Sequence, residues 1–110
     1  MDNKFSKVAD SGSLEELFER SNEGPVLLFK HSNACPISAR AYREMQGVKV
    51  PVSILVVQDS RDVSKQVAER TGVAHETPQA LVLRNGRAVW NASHFDVTAD
   101  SVERAMRENA

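Results

Sequence analysis

The sequence lacks three features that mark specialised proteins: it has a single cysteine, nearly balanced charges and no long apolar segment. A single cysteine, Cys35, excludes an internal disulfide and with it the disulfide-stapled secreted domains. Fourteen basic residues against fifteen acidic ones give a net charge of −1, which argues against a nucleic-acid binder or a polybasic membrane-surface protein. No window approaches the ~18 apolar residues of a membrane span, and the first residues lack the apolar core of a signal peptide. We therefore expect a cytoplasmic protein that binds neither nucleic acid nor membrane.

Metal sites and multiple domains are also disfavoured by what is missing. The histidines are scattered at positions 31, 75 and 94, and with one cysteine they form no zinc-binding spacing, so we expect no metal site. A chain of 110 residues fits one domain, residues 1–110, with one modest core.

Glycine and proline fall between the periodic segments and divide the chain into short elements. A capping box at Ser13–Glu16 predicts a helix that ends at Gly24–Pro25, with Leu14, Leu17 and Phe18 as its apolar stripe. The other predicted elements are an edge strand at 5–8, buried strands at 26–29, 52–57 and 79–84, a strand at 87–91 after the Asn85-Gly86 turn, and helices from Pro36, at 60–71 and after Thr98.

This order of elements predicts an α/β protein with a central mixed sheet of four to five strands and helices on both faces. Two strand–helix–strand crossovers predict parallel pairing of the three buried strands, and the final hairpin adds an antiparallel edge.

The turn after the first buried strand carries the candidate nucleophile. Pro36 directly follows Cys35, and proline is favoured at the first position of a helix, so Cys35 is predicted to be the N-cap. The unpaired amides and the positive end of the helix dipole favour a thiolate there, so Pro36, Ile37 and Ser38 form the expected stabilising turn. The Ser38 hydroxyl or its N–H lies within reach of the sulfur. The alternative is an inert, buried cysteine, although such a residue more often lies within a strand or on an apolar stripe.

The chain resembles the thioredoxin fold over nearly its whole length. Thr71-Gly-Val73 and the segment from Thr77-Pro78 to Asn85-Gly86 are similar to the second half of thioredoxins. The Cys-x-x-Cys motif of that family stands here as Cys35-Pro-Ile-Ser38, and Ala34 replaces its tryptophan. Both departures count against a general dithiol disulfide reductase.

A closer resemblance is to the YtxJ family, the monothiol bacilliredoxins of the bacillithiol redox system. It rests on Phe29-Lys-His-Ser-x-x-Cys-Pro-Ile-Ser38. The resemblance implies a thiol-disulfide oxidoreductase with Cys35 as nucleophile and a cis Pro78 beside it, where the Thr77 backbone pairs with the substrate. It also implies bacillithiol, or a related low-molecular-weight thiol, as co-substrate, bacillithiolated proteins as partners, and no bound cofactor.

Five basic residues near the turn are further candidates. Strand alternation sends Lys30 and His31 to opposite faces, so one of them is expected to face the substrate. Arg40 and Arg43 can attract carboxylates of bacillithiol, although a solvated helix face is the simpler interpretation. His75, in the loop before Pro78, can border the site.

A single thiol also restricts the chemistry. Ser38 cannot resolve a mixed disulfide, because a hydroxyl is not redox-active, so an external thiol must do so.

Two other functions stay open. One is an iron–sulfur cluster carrier like the monothiol glutaredoxins, disfavoured by Pro36 where those proteins have glycine. The other is a non-enzymatic adaptor that holds an extended peptide in the same groove.

Overall fold

The computed structural model describes residues 4–110 of the chain. Its elements are β1 (Phe5–Lys7), α1 (Ser11–Arg20), β2 (Val26–His31), α2 (Pro36–Gln46), β3 (Val52–Val56), α3 (Arg61–Thr71), β4 (Gln79–Arg84), β5 (Arg87–Ser93), a 3₁₀ turn (His94–Asp96) and α4 (Ala99–Glu108). This order confirms the predicted succession of strands and helices, including the short strand at the start. No helix within residues 4–110 has the length and apolar character needed to cross a membrane.

The five strands form one mixed sheet in the order β1-β3-β2-β4-β5. The first three strands are parallel, and β4 and β5 are antiparallel to their neighbours. The prediction that β4 is parallel to the other buried strands is therefore wrong. After α3 ends at Gly72, residues 73–78 return toward the end of β2, where Gln79 pairs with Lys30, so β4 starts where β2 finishes.

Alternate residues of the strands pack against helices on the two faces of the sheet. Leu27 and Phe29 of β2 face one buried cluster, which includes residues of α2 and α4. Leu28 belongs to the other cluster, which is formed with residues of α1 and α3. Consecutive residues at the end of β2 therefore point to opposite sides of the sheet.

The first helix begins and ends earlier than the sequence pattern predicts. Asp10, not Ser13, is the N-cap: its carboxylate accepts the Ser13 N–H at 2.7 Å, and the Ser13 hydroxyl accepts the Asp10 N–H at 3.2 Å. The helix stops at Arg20, because the hairpin docks on the next residue. Ser21 accepts the Asn85 N–H through its carbonyl at 2.7 Å and the Gly86 N–H through its hydroxyl at 2.9 Å.

The β4–β5 hairpin is confirmed in the predicted place. Asn85 and Gly86 have φ of 56° and 77°, the left-handed pair that a tight two-residue turn requires. Strand β5 is two residues longer than predicted, and the 3₁₀ turn after it was not predicted. His94 starts that turn in the left-handed region with φ of 57°.

Candidate active site at Cys35

Cys35 lies at the N-cap of α2, as the sequence predicts. Its backbone is extended, with φ of −122° and ψ of 123°, and its carbonyl accepts the first helical N–H, from Ala39, at 3.0 Å. Within residues 4–110, no acceptor pairs with the N–H of Ile37 or of Ser38. Pro36 has no N–H to offer. The half-buried thiol therefore lies at the positive end of the helix dipole, beside two free backbone donors.

The Ser38 hydroxyl is used differently from the sequence expectation. Ser38 is fully buried, and its Oγ accepts the Ser32 N–H at 2.9 Å and lies 2.8 Å from His31 Nδ1. Because burial lowers the pKa of His31, the ring is neutral near pH 7, and its Nδ1 shares one hydrogen bond with the Ser38 hydroxyl. No hydrogen bond from this hydroxyl to the sulfur occurs within residues 4–110. The expectation that the hydroxyl reaches Cys35 is therefore wrong, and of the two Ser38 groups only the N–H is free beside the thiol.

Removing the Ser38 hydroxyl should loosen the turn but leave the nucleophile in place. We expect Ser38→Ala to lower the free energy of unfolding by about 1–3 kcal/mol, because it leaves the Ser32 N–H and His31 Nδ1 without a buried partner. Urea unfolding measures this loss. Ser101→Ala is the control variant, because it also removes a hydroxyl that accepts a backbone N–H, but at a site outside the turn. Unchanged stability of Ser38→Ala would show that the hydroxyl does not hold the turn.

A second side chain, Gln58, holds the turn from the loop after β3, and no motif in the sequence indicated it. Gln58 accepts the Asn33 N–H at 3.2 Å and donates to the Ser32 hydroxyl at 2.8 Å. The Val57 N–H donates to the His31 carbonyl at 2.9 Å. The carboxyl ends of neighbouring parallel strands meet at one edge of a sheet. Because the thiol turn follows β2 and residues 57–58 follow β3, this rule predicts that the two segments lie side by side.

The thiol opens on a cleft of about 350 Å³ between the turn and α2, here called the thiol cleft. His31, Tyr42 and Arg43 line it together with Cys35. The His31 ring lies between Phe29 and Tyr42, with centroids 5.5 and 5.2 Å away. Arg43 is thus the arginine of α2 that borders the thiol.

The other arginine of α2 is engaged elsewhere. The Arg40 guanidinium lies 5.5 Å from the centre of the Phe95 ring, in the 3₁₀ turn after β5. Phe95 is itself exposed, so this cation–π contact is at the surface.

The Thr77–Pro78 bond is cis, which confirms the prediction made for it. Pro78 is buried and Thr77 is half-buried, and the next residue pairs with Lys30, at the end of β2 from which the thiol turn leaves. Two contacts tie this loop to the end of β5: the His94 N–H donates to the Pro78 carbonyl at 2.9 Å, and Glu76 lies 3.4 Å from the His94 ring. The substrate-binding roles of Thr77 and Pro78 stay predictions.

Lys30 and His31 occupy opposite faces, as strand alternation predicts, but neither points freely into solvent. Lys30 is fully buried on the side of α3, and its Nζ lies 2.6 Å from His75 Nδ1. The Ser64 hydroxyl lies 3.2 Å from the same nitrogen. Burial lowers the pKa of Lys30 to about 8, and the negative charge of Glu76 opposes that shift. The pKa of His75 is lowered by burial and then by the charge of Lys30.

Comparison with known proteins gives two levels of similarity. The sequence model of the family described as monothiol bacilliredoxin BrxC matches residues 6–102. A solved structure described as "a putative oxidoreductase with a thioredoxin fold" is 35% identical, covers 92% of each chain and superposes with a TM-score of 0.85.

Thioredoxins are similar in fold alone. That of Fasciola hepatica is 10% identical, with 94% of this chain and 98% of the other covered and a TM-score of 0.75. A variant thioredoxin from Halobacterium salinarum is 12% identical, with coverage of 99% and 94% and a TM-score of 0.74. The sheet and helices around Cys35 therefore form a thioredoxin fold.

Proposed function

The chain belongs to the monothiol bacilliredoxin family, and on that premise we propose that it removes bacillithiol, or a related low-molecular-weight thiol, from protein mixed disulfides. One observation carries the proposal. Cys35 is the only thiol of the chain and the N-cap of a helix with two free amides. The residue three positions later, Ser38, is a serine whose hydroxyl bonds the Ser32 N–H. We place the reaction in the cytosol, where small thiols are kept reduced.

The first step transfers the small thiol to the protein. The Cys35 thiolate attacks the bacillithiol sulfur of the mixed disulfide, a new S–S bond forms to Cys35, and the old S–S bond breaks. The substrate cysteine leaves with the electron pair of that bond and takes a proton from water. One disulfide is lost and one is gained, so no outside oxidant or reductant is required.

The second step regenerates Cys35 and needs an external thiol. A second bacillithiol, as thiolate, attacks the bacillithiol sulfur held on Cys35, which yields bacillithiol disulfide and the Cys35 thiolate. The hydroxyl of Ser38 cannot take the place of this thiol. The free amides of Ile37 and Ser38 assist here as well, because Cys35 is now the leaving group and its negative charge forms beside them.

The remaining residues of the site orient these reactants. The Ser38 hydroxyl in α2 and Gln58 in the loop after β3 both bond Ser32 and so hold the thiol turn in place. We assign the Thr77 backbone to pairing with the cysteinyl part of the small thiol, because its loop lies at the same end of the sheet.

Turnover of a capped substrate tests the proposal. A protein carrying bacillithiol on one cysteine is incubated with catalytic amounts of the reduced chain and excess bacillithiol. We expect free substrate thiol to appear in proportion to the amount of chain added. When bacillithiol is left out, the chain itself should accumulate the added mass on Cys35.

Two results would contradict the proposal and favour either the peptide-binding adaptor or the iron–sulfur cluster carrier. A substrate that stays capped while Cys35 remains open to alkylation by iodoacetamide favours the peptide-binding adaptor. Visible absorption and acid-labile sulfide in anaerobically purified protein favour the cluster carrier.

A further inference from the structure

A second cavity, of about 300 Å³, lies beside the first turns of α3 on the opposite face of the sheet from the thiol cleft. We call it the α3 cavity, and its lining residues are Val57, Arg61, Ser64, Lys65, Ala68 and His75. Every polar side chain among them can donate a hydrogen bond, and no carboxylate is among them. Within residues 4–110, neither Arg61 nor Lys65 takes part in a salt bridge. Such a lining is suited to an anion.

Lys30, a buried cation next to this cavity, also favours the binding of an anion. Lys30 is fully buried and has no carboxylate within salt-bridge distance in the described part of the chain. An ammonium group can only donate, so His75 Nδ1 accepts from it, and the imidazole carries its proton on Nε2. His75 is thereby held as one more N–H donor. Glu76 is the carboxylate whose charge acts on Lys30, but it forms no salt bridge with it, so an anion bound at Arg61 and Lys65 would further lower the cost of burying the ammonium.

The α3 cavity adjoins two segments at the end of the sheet from which the thiol turn leaves. Val57, in its wall, directly precedes Gln58, whose side chain bonds the Ser32 hydroxyl in the thiol turn. His75 lies two residues before Thr77. A molecule with its sulfur at Cys35 and its backbone along Thr77 would extend toward this cavity.

Resting on the proposed function, we propose that the α3 cavity binds the carboxylates of the small thiol through Arg61 and Lys65 while its sulfur reacts at Cys35. Bacillithiol carries two carboxylates on the malyl group, which the sugar separates from the cysteinyl sulfur. A guanidinium group binds a carboxylate with two parallel hydrogen bonds, and Lys65 adds a second charge. The thiol cleft offers Arg43 alone for this task, because Arg40 lies against Phe95.

The test compares two disulfides that differ in charge. The reduced chain is mixed with bacillithiol disulfide or with bis(2-hydroxyethyl) disulfide, and the mass added to Cys35 is followed with time. In each reaction the thiolate forms one S–S bond and releases one half of the reagent as a thiolate. We expect Arg61→Gln/Lys65→Gln to slow capping by bacillithiol disulfide about tenfold, the loss of roughly one charged hydrogen bond, and to leave the uncharged reagent unaffected.

A matched variant controls for the loss of two positive charges. Lys49→Gln/Arg87→Gln removes one lysine and one arginine, both exposed and outside the two cavities that flank the thiol turn. It should leave both rates as in the wild type. A similar slowing with both disulfides in the α3 variant would show an effect on the thiol and not on a carboxylate, and would overturn the inference.

Two further results would also overturn it. If Arg43→Gln, and not the α3 variant, loses rate only with bacillithiol disulfide, the thiol cleft holds the carboxylates. If the wild type and the α3 variant react equally fast with bacillithiol disulfide, the α3 cavity contributes no binding. Failure of the proposed function itself is seen separately, as no release of a capped protein by the wild type in the turnover assay.

Discussion

A Cys35→Ser variant is expected to lose all transfer of the small thiol and to keep its fold. Oxygen cannot replace sulfur in thiol–disulfide exchange, and Cys35 is the only sulfur nucleophile in the chain. Turnover of a capped substrate should therefore fall to the rate without protein. Serine is a preferred N-cap residue, and the free amides of Ile37 and Ser38 are available to it, so stability should be equal to or above that of the wild type.

Ser38→Ala is the matched control for this loss. It removes the neighbouring hydroxyl but leaves Cys35 at the helix end, so it should turn over more slowly and not stop. Measurable turnover by Cys35→Ser above background would show that the chain acts without its thiol, and would contradict the mechanism. Complete loss in both variants would indicate that the structure of the turn, and not the sulfur alone, had been removed.

The second large effect concerns stability at alkaline pH and comes from Lys30. Burial lowers its pKa from 10.5 to about 8 in the folded chain. Between those values the unfolded chain binds a proton that the folded chain does not, so the free energy of unfolding rises as pH increases from 8 to 10.5. The full rise is on the order of 3 kcal/mol. Below pH 8 both states carry the proton, and the contribution no longer changes with pH.

Lys30→Met isolates this effect, because it keeps a long side chain in the buried position and removes the titrating group. Urea unfolding at pH 7.5, 8.5 and 9.5 should show the wild type gaining stability relative to the variant as pH rises. Lys49→Met, at an exposed position, controls for the loss of one positive charge. Parallel pH profiles of the wild type and Lys30→Met would show that Lys30 does not titrate in this range.

Local patterns predicted most of the elements, because the signals that begin and end them lie within a few residues. Pro36 after Cys35 predicts the start of α2, and Gly72 predicts the end of α3, where its φ of 74° is observed. Asp10 and Ser13 are both capping residues that bond each other reciprocally, so sequence alone did not show which one is the N-cap. The cis Pro78 was predicted from the order of elements and the resemblance to the monothiol bacilliredoxins, and not from any local signal.

The contacts that build the site join residues far apart in the chain, and this explains what the sequence did not predict. Lys30 meets His75 only because β4 pairs antiparallel to β2, and the crossover pattern had indicated the other direction. The Ser38 hydroxyl is turned to His31 and Ser32 because its helical position is buried against β2, and spacing alone had directed it to the sulfur. Arg61 and Lys65 carried no sequence signal, since charged residues on a helix are usually solvated.

The proposed transfer is best tested in a single turnover with equal amounts of the reduced chain and a bacillithiol-capped protein, with no free bacillithiol. Intact-mass spectrometry follows both partners with time. We expect the added mass to leave the substrate and to appear on Cys35, with the substrate released as a free thiol. If the substrate keeps its cap while Cys35 stays unmodified and open to alkylation, or if a covalent complex of the two proteins accumulates instead, the proposed transfer is contradicted.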